Sequence, residues 1–304
     1  QELKRMAEPF VDCCRFDTLG KLIAHKKGSG PRYMFAAHMD TIGLIVTHIE
    51  KDGFLRFGKL GSVHAPSLLH TPVRFRSGLC GLVSRSQKVC ERDISLDDLY
   101  LDIGAKNEAE ARSMIKLGDT AVFHMPSFAA GSRITSPYMD NRISCIALLE
   151  AMEMLKEEDN DLYFVFTVQE ELGMRGAKTA AYAIDPDYGI AVDVTLADEL
   201  DSTHKGSCVL GGGAAIKVMD QSVISHPQIV ERLSNLATTH NIPHQRDVMI
   251  GSGTDAGAIH MTRNGVLTGG ISIPCRYIHS GVETVETADV KACARLIAAF
   301  AHSK

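Results

Sequence analysis

The 304-residue sequence contains no tryptophan, and aromatic residues make up only 6% of it. It has no basic excess: 32 Lys and Arg stand against 37 Asp and Glu, a formal net charge of -5. No Lys/Arg stripe interleaves with aromatics, so nucleic acid is not an expected partner. Nor is a membrane, because no apolar run approaches spanning length. The start, Gln1-Glu2-Leu3-Lys4-Arg5, is polar and does not read as a secretory signal. The eight cysteines include no C-x-x-C pair, which excludes a zinc knuckle and a thioredoxin-like motif. They read as reduced, small buried hydrophobes of a cytoplasmic protein.

What is present is length enough for a substantial core, in one large domain or a domain with a sizeable insertion. From about Arg32 to Ile49, and again from Ser136 onward, strand-length apolar runs alternate with helical patterns, which predicts an α/β sheet with helices on both faces. One helix is expected from near Asn141 and another over Asp289 to His302. Between about Leu44 and Phe123 the texture changes to short β-rich pieces punctuated by Gly and Pro, with a single helix at about Asn107 to Leu117. The expected organisation is a discontinuous catalytic domain, residues 1–43 and 124–304, carrying an inserted β-rich domain at 44–123.

The most informative local feature is Glu170-Glu171, just past the apolar run Leu162 to Val168. Adjacent carboxylates repel, so a pair at the end of a buried strand suggests a cation there. On its own such a pair reads as a solvated turn. Other candidate ligands, however, also end strand-like runs: His38 and Asp40 follow Tyr33 to Ala37, Asp193 follows Gly189 to Val192, and His279 follows Gly270 to Ile273 and a short linker. His38, Asp140, Glu171, Asp193 and His279 together suit two divalent ions. Ions roughly 3.5–4 Å apart need a bridging carboxylate. Asp140 is the best bridge, because it precedes a helix whose N-terminus favours an acid. Glu170 is then free to act as a base.

These segments, Ala37-His38-Met39-Asp40-Thr41-Ile42-Gly43, Met139-Asp140-Asn141-Arg142, Gln169 to Ala177, Asp193-Val194-Thr195 and Arg276-Tyr277-Ile278-His279-Ser280, occur in one order along the chain. In that order they closely resemble the cytosolic dinuclear-metal aminopeptidases that assemble as tetrahedral dodecamers, a family including glutamyl and deblocking aminopeptidases and proteins labelled cellulases. The resemblance implies a three-layer α/β/α zinc-peptidase-like catalytic domain and a small PDZ-like inserted domain used in homo-oligomer assembly. Leu101 to Ala105 and Gly118-Asp119 carry the match into that insertion.

The resemblance further implies one ion on His38, Asp140 and Asp193 and a second on Asp140, Glu171 and His279. Glu170 would be the general base, and Asp40 the partner that orients His38. The metals would be zinc or cobalt, with manganese a third option, and the substrates peptides with a free N-terminus. Asn141, Cys275 and Gly281 depart from the usual pattern without removing a ligand. At the start, the family's N-terminal helix and Ser-Gly-bearing turn are missing, which leaves a truncated chain or a short member as the two readings.

Other motifs read more simply. Gly251-Ser252-Gly253-Thr254-Asp255 lacks the ending of a phosphate loop and reads as a tight turn into a helix, with Asp255 near the site as a substrate contact or a cap. Gly211-Gly212-Gly213 reads as a loop beside the pocket. Further histidines, such as His64, His124 and His204, show no ligand pattern of their own. The rival functions are hydrolysis of an N-acyl or acetyl amide on the same scaffold, and a non-catalytic assembly protein. The cellulase label fits poorly, because glycoside hydrolysis needs two carboxyl groups roughly 5–9.5 Å apart and these acids are better used as metal ligands.

Overall fold

A computed structural model describes residues 1–86, 94–156, 158–197 and 208–303. Of the residues considered above, Cys90, one of the eight cysteines, and His204 lie outside the described residues. Helix α1 (Glu2–Ala7) precedes strands β1 (Cys13–Phe16), β2 (Leu22–Lys26) and β3 (Arg32–His38). Strands β4 (Gly43–Ile49) and β5 (Leu55–Leu60), helix α2 (Ala65–Leu68), strands β6 (Pro72–Phe75), β7 (Cys80–Arg85) and β8 (Leu99–Asp102), helix α3 (Glu108–Met114) and strand β9 (Thr120–Phe123) follow. The chain continues through β10 (Phe128–Ala130), β11 (Arg133–Ser136), α4 (Met139–Met154), β12 (Asp161–Thr167), α5 (Arg175–Ile184) and β13 (Tyr188–Leu196). It ends with β14 (Ala214–Met219), α6 (Pro227–Thr239), β15 (His244–Val248), α7 (Ala256–Ile259), β16 (Leu267–Arg276), β17 (Glu283–Glu286) and α8 (Thr287–His302).

The main sheet runs β1-β2-β12-β3-β13-β16-β17-β11-β10, with β14 and β15 branching from β16. At its centre β12, β3, β13 and β16 are mutually parallel. That arrangement requires both faces to be covered, which is why these strands read as near-continuous apolar runs. The alternation along β3 shows the two layers. Tyr33, Phe35 and Ala37 share a core with Leu148 of α4, Leu233 of α6 and Phe300 of α8, whereas Met34 and Ala36 pack with Ala177 and Ala181 of α5 and Ile259 of α7. Helix α5 sits so close to the end of β12 that a Cβ on Gly176 would lie 2.5 Å from the Val168 carbonyl oxygen. Glycine is therefore required there.

Strands β4, β5, β8, β7, β6 and β9 close into a barrel. The barrel has its own apolar core, with Leu44, Val46, Leu55, Val73, Val83 and Leu101 inside. Besides α3, which Asn107 caps by accepting the Glu110 N–H at 3.0 Å, this stretch holds the short helix α2, which the sequence texture concealed. Among the described residues, no helix is long and apolar enough to cross a membrane.

Candidate metal centre

Because the four central strands are parallel, their C-terminal ends lie along one edge of the sheet, the place where α/β sheets present binding groups. His38 is the last residue of β3, Glu170 and Glu171 follow β12, Asp193 lies near the end of β13, and His279 follows β16. Asp140 enters from the N-terminal turn of α4, across a cis peptide bond to Asn141. Its two carboxylate oxygens face different histidines. Oδ1 lies 3.1 Å from His38 Nε2, and Oδ2 lies 3.3 Å from His279 Nε2. Asp193 Oδ1 is 3.7 Å from the same His38 nitrogen, and Glu171 Oε1 is 3.3 Å from the same His279 nitrogen. The structure thus brings all five candidate ligands into two groups that share Asp140. Glu170 stands beside them, with Oε2 3.8 Å from His38 Nε2.

The donor set suits divalent ions. It consists of imidazole nitrogens and carboxylate oxygens, and His38, Asp140 and Glu171 can offer atoms within 4.8 Å of one another. Two of the oxygens, Asp140 Oδ1 and Glu171 Oε1, are buried without a hydrogen bond, a costly arrangement that a bound cation would relieve.

The side chains alone leave the cluster short of positive charge. Burial, reinforced by Asp193, Asp255 and Glu171, pushes the Glu170 carboxyl up to about 10. Burial and Asp140 likewise hold Asp193 well above the usual carboxylate range. Asp140 moves the other way: burial opposes its ionisation, but His279 and His38 hold its carboxyl below the usual range. Burial would lower both histidines, yet the acids around them win, so His38 is raised well above its ordinary value and His279 to about 10. A pair of divalent ions would invert this balance.

The supporting contacts refine what the sequence suggested. Asp40 backs His38 chiefly through its main chain: the ring Nδ1 donates to the Asp40 carbonyl oxygen at 3.1 Å, while the Asp40 carboxylate lies 3.8 Å away. That carboxylate instead accepts the N–H groups of Glu170 at 3.1 Å and Glu171 at 3.2 Å. Asp255 stands at the N-terminus of α7, but its carboxylate accepts from Thr167 Oγ1 at 2.5 Å and leaves the helix uncapped. Gly211 and Gly213 donate to the Asp289 carboxylate at 2.8 Å each, which fastens that loop to α8, and neither lines the pocket.

Sequence reasoning missed two contributors. Glu283 accepts the main-chain N–H of both Asp140 and His279, and an acid inside the strand-like Glu283-Thr284-Val285-Glu286 was the available signal. The barrel side supplies Gly61 and Ser62. A Cβ on Gly61 would lie 2.9 Å from Glu171 Oε2, and Ser62 lines the pocket. Nothing local in the sequence marks that approach. Several non-glycine residues around the site, Tyr138, Gln169, Met174, Tyr277 and His279, adopt positive φ, a conformation held only where the surroundings enforce it.

The sequence matches the M42 glutamyl aminopeptidase family over residues 20–296. It is 40% identical over 294 residues to a lysyl aminopeptidase of Pyrococcus furiosus, an alignment covering 92% of this chain and 84% of that one. Its fold superposes with a TM-score of 0.95 on an aminopeptidase of the archaeon Desulfurococcus kamchatkensis, at 40% identity, covering 100% of this chain and 88% of that one. The TET1 peptidase of Pyrococcus horikoshii, which can assemble into a tetrahedron or a large octahedral shell, matches with a TM-score of 0.88 at 34% identity, covering 100% of this chain and 93% of that one. With a family match across most of its length and these relatives, the chain belongs to the M42 family of aminopeptidases.

Proposed function

We propose that the chain removes the N-terminal residue from peptides with a free N-terminus, using two divalent ions held by His38, Asp140 and Asp193 and by Asp140, Glu171 and His279. The observation that carries this reading is the division of the two Asp140 oxygens between His38 and His279. When bound, such ions polarise a scissile carbonyl, acidify water and offset charge on the reacting oxygen. Glu170 takes a proton from the attacking water and returns it to the leaving amine. Asp40 keeps the two glutamates in register by accepting both of their main-chain N–H groups, and its carbonyl oxygen fixes the ring of His38. The donor set accommodates zinc, cobalt or manganese.

On this reading residues 1–43 and 124–304 form a zinc-peptidase-like catalytic domain, and 44–123 form a PDZ-like inserted domain that serves assembly. The enzyme would work in the cytoplasm as a homo-oligomer, a dodecamer of the tetrahedral kind that the Pyrococcus horikoshii TET1 peptidase can form. The test is release of free amino acids from a panel of unblocked peptides and their N-acetylated counterparts, with and without added divalent metals. Metal-dependent release from the unblocked set alone is expected. Release from the acetylated set alone would replace this reading with amide deacylation.

A further inference from the structure

The metal cluster opens into a cavity of about 390 Å³. Among its described lining residues, every charged or imidazole side chain belongs to the cluster itself. The remaining wall is built from Met174, Val194, Leu196, Met249 and Ile278, with glycines and serines between them. Val194 and Leu196 are placed by β13 itself, one and three residues beyond the ligand Asp193. An apolar wall therefore stands immediately beside the reacting centre.

A cation does lie behind this wall, but it is committed elsewhere. Lys217 of β14 is 0% exposed, is ion-paired with Asp247 of β15 and donates to Thr195 Oγ1 at 3.2 Å. The same Thr195 hydroxyl contacts Met249 Sδ at 3.5 Å. The lysine thus supports Met249 from behind and presents no charge to the cavity. A substrate carboxylate or ammonium placed against these side chains would lose its water without gaining a partner, whereas an apolar group would gain by burial. Met174 and Met249, with flexible thioethers, can conform to side chains of different shape.

We infer that the cavity selects an uncharged apolar side chain of the leucine and methionine class at the substrate's N-terminus and discriminates against lysine and glutamate. The inference rests on the aminopeptidase reading above for the orientation of the substrate. Its test uses two panels on the metal-loaded protein. The first is unblocked tripeptides X-Ala-Ala with X as Leu, Met, Lys or Glu, read as kcat/KM. The second is the hydroxamates of leucine, lysine and glutamate, which share one metal-chelating head, read as Kd by calorimetry. Leu and Met are expected to exceed Lys and Glu about tenfold or more in kcat/KM, and the leucine hydroxamate to bind about tenfold or more tightly than the lysine and glutamate ones.

The outcomes separate the two claims. Faster cleavage of the Lys or Glu peptide would overturn the pocket assignment and leave the aminopeptidase reading intact. Tighter binding of the leucine hydroxamate with no cleavage of any tripeptide would uphold the pocket and overturn the aminopeptidase reading. Equal Kd values for the three hydroxamates would overturn the pocket assignment directly. Leu196 is 51% exposed, so a charge there is compatible with folding. Leu196→Glu is expected to raise the Lys-to-Leu ratio of both kcat/KM and affinity about tenfold, and an unchanged ratio would overturn its assignment as a specificity residue.

Discussion

The carboxylate of Glu283 accepts the main-chain N–H of Asp140 at 2.9 Å, and its other oxygen accepts the N–H of His279 at 2.8 Å. One side chain thereby fixes the backbones that carry the shared acid and a histidine of the second donor group. Burial and the neighbouring Asp140 raise the Glu283 carboxyl to about 8, so it is held in place by the two donors at some cost. Glu283→Ala is expected to weaken metal affinity about 10–100-fold while the fold is retained, as for other groups that orient ligands. Metal titration of the purified variant checks this. An unchanged affinity would show that Asp140 and His279 hold their positions without it.

Glu170→Gln and Glu171→Gln are expected to fail differently although the residues are adjacent. The amide at 170 should leave both ions bound and reduce kcat by about 10²–10⁴. The amide at 171 should weaken metal binding, and excess metal should restore part of the activity. Metal content and rate for each variant decide it. Loss of an ion from Glu170→Gln, with Glu171→Gln fully loaded and inactive, would reverse the two roles.

Metal binding should depend on pH in a definite direction. Ligation requires unprotonated imidazole and ionised carboxyl groups. His279 and Glu170 are both raised to about 10 in the metal-free cluster, so at pH 7 they carry protons that metal binding displaces. Apparent metal affinity is therefore expected to rise with pH from 6 to 9. Calorimetry in buffers of different ionisation enthalpy should register proton release at pH 7, and proton uptake would contradict this electrostatic account.

The ion pair of Lys217 and Asp247 lies almost wholly out of water, at 0% and 2% side-chain exposure. Removing one partner strands the other, which costs about 3–5 kcal/mol in such settings. Lys217→Met should lower unfolding free energy by that order in a urea titration. A change below about 1 kcal/mol would mean that water reaches the pair.

Much of this candidate site was legible in the sequence because its candidate ligands sit where strands end. His38, Asp193 and His279 each follow an apolar run, and parallel pairing of β3, β13 and β16 carries those ends to one edge. The α/β texture and the β-rich interruption from Leu44 to Phe123 were readable for the same reason, since side-chain periodicity is a local property. What stayed hidden depends on distant backbone approach. Glu283 reaches Asp140 across 143 positions of sequence, and Gly61 meets Glu171 only because the barrel leans against the sheet edge. Asp40 was legible as a neighbour of His38, but not as the acceptor for two amides 130 and 131 residues away.

The shared acid tests the central claim most directly. Asp140 faces both histidines, so Asp140→Ala removes a donor from each group at once and leaves two cations less well neutralised. The wild-type protein, loaded and freed of excess metal, should hold two ions per chain by elemental analysis. The variant should hold neither tightly, with both lost together. Two tightly held ions per chain in Asp140→Ala would contradict the account.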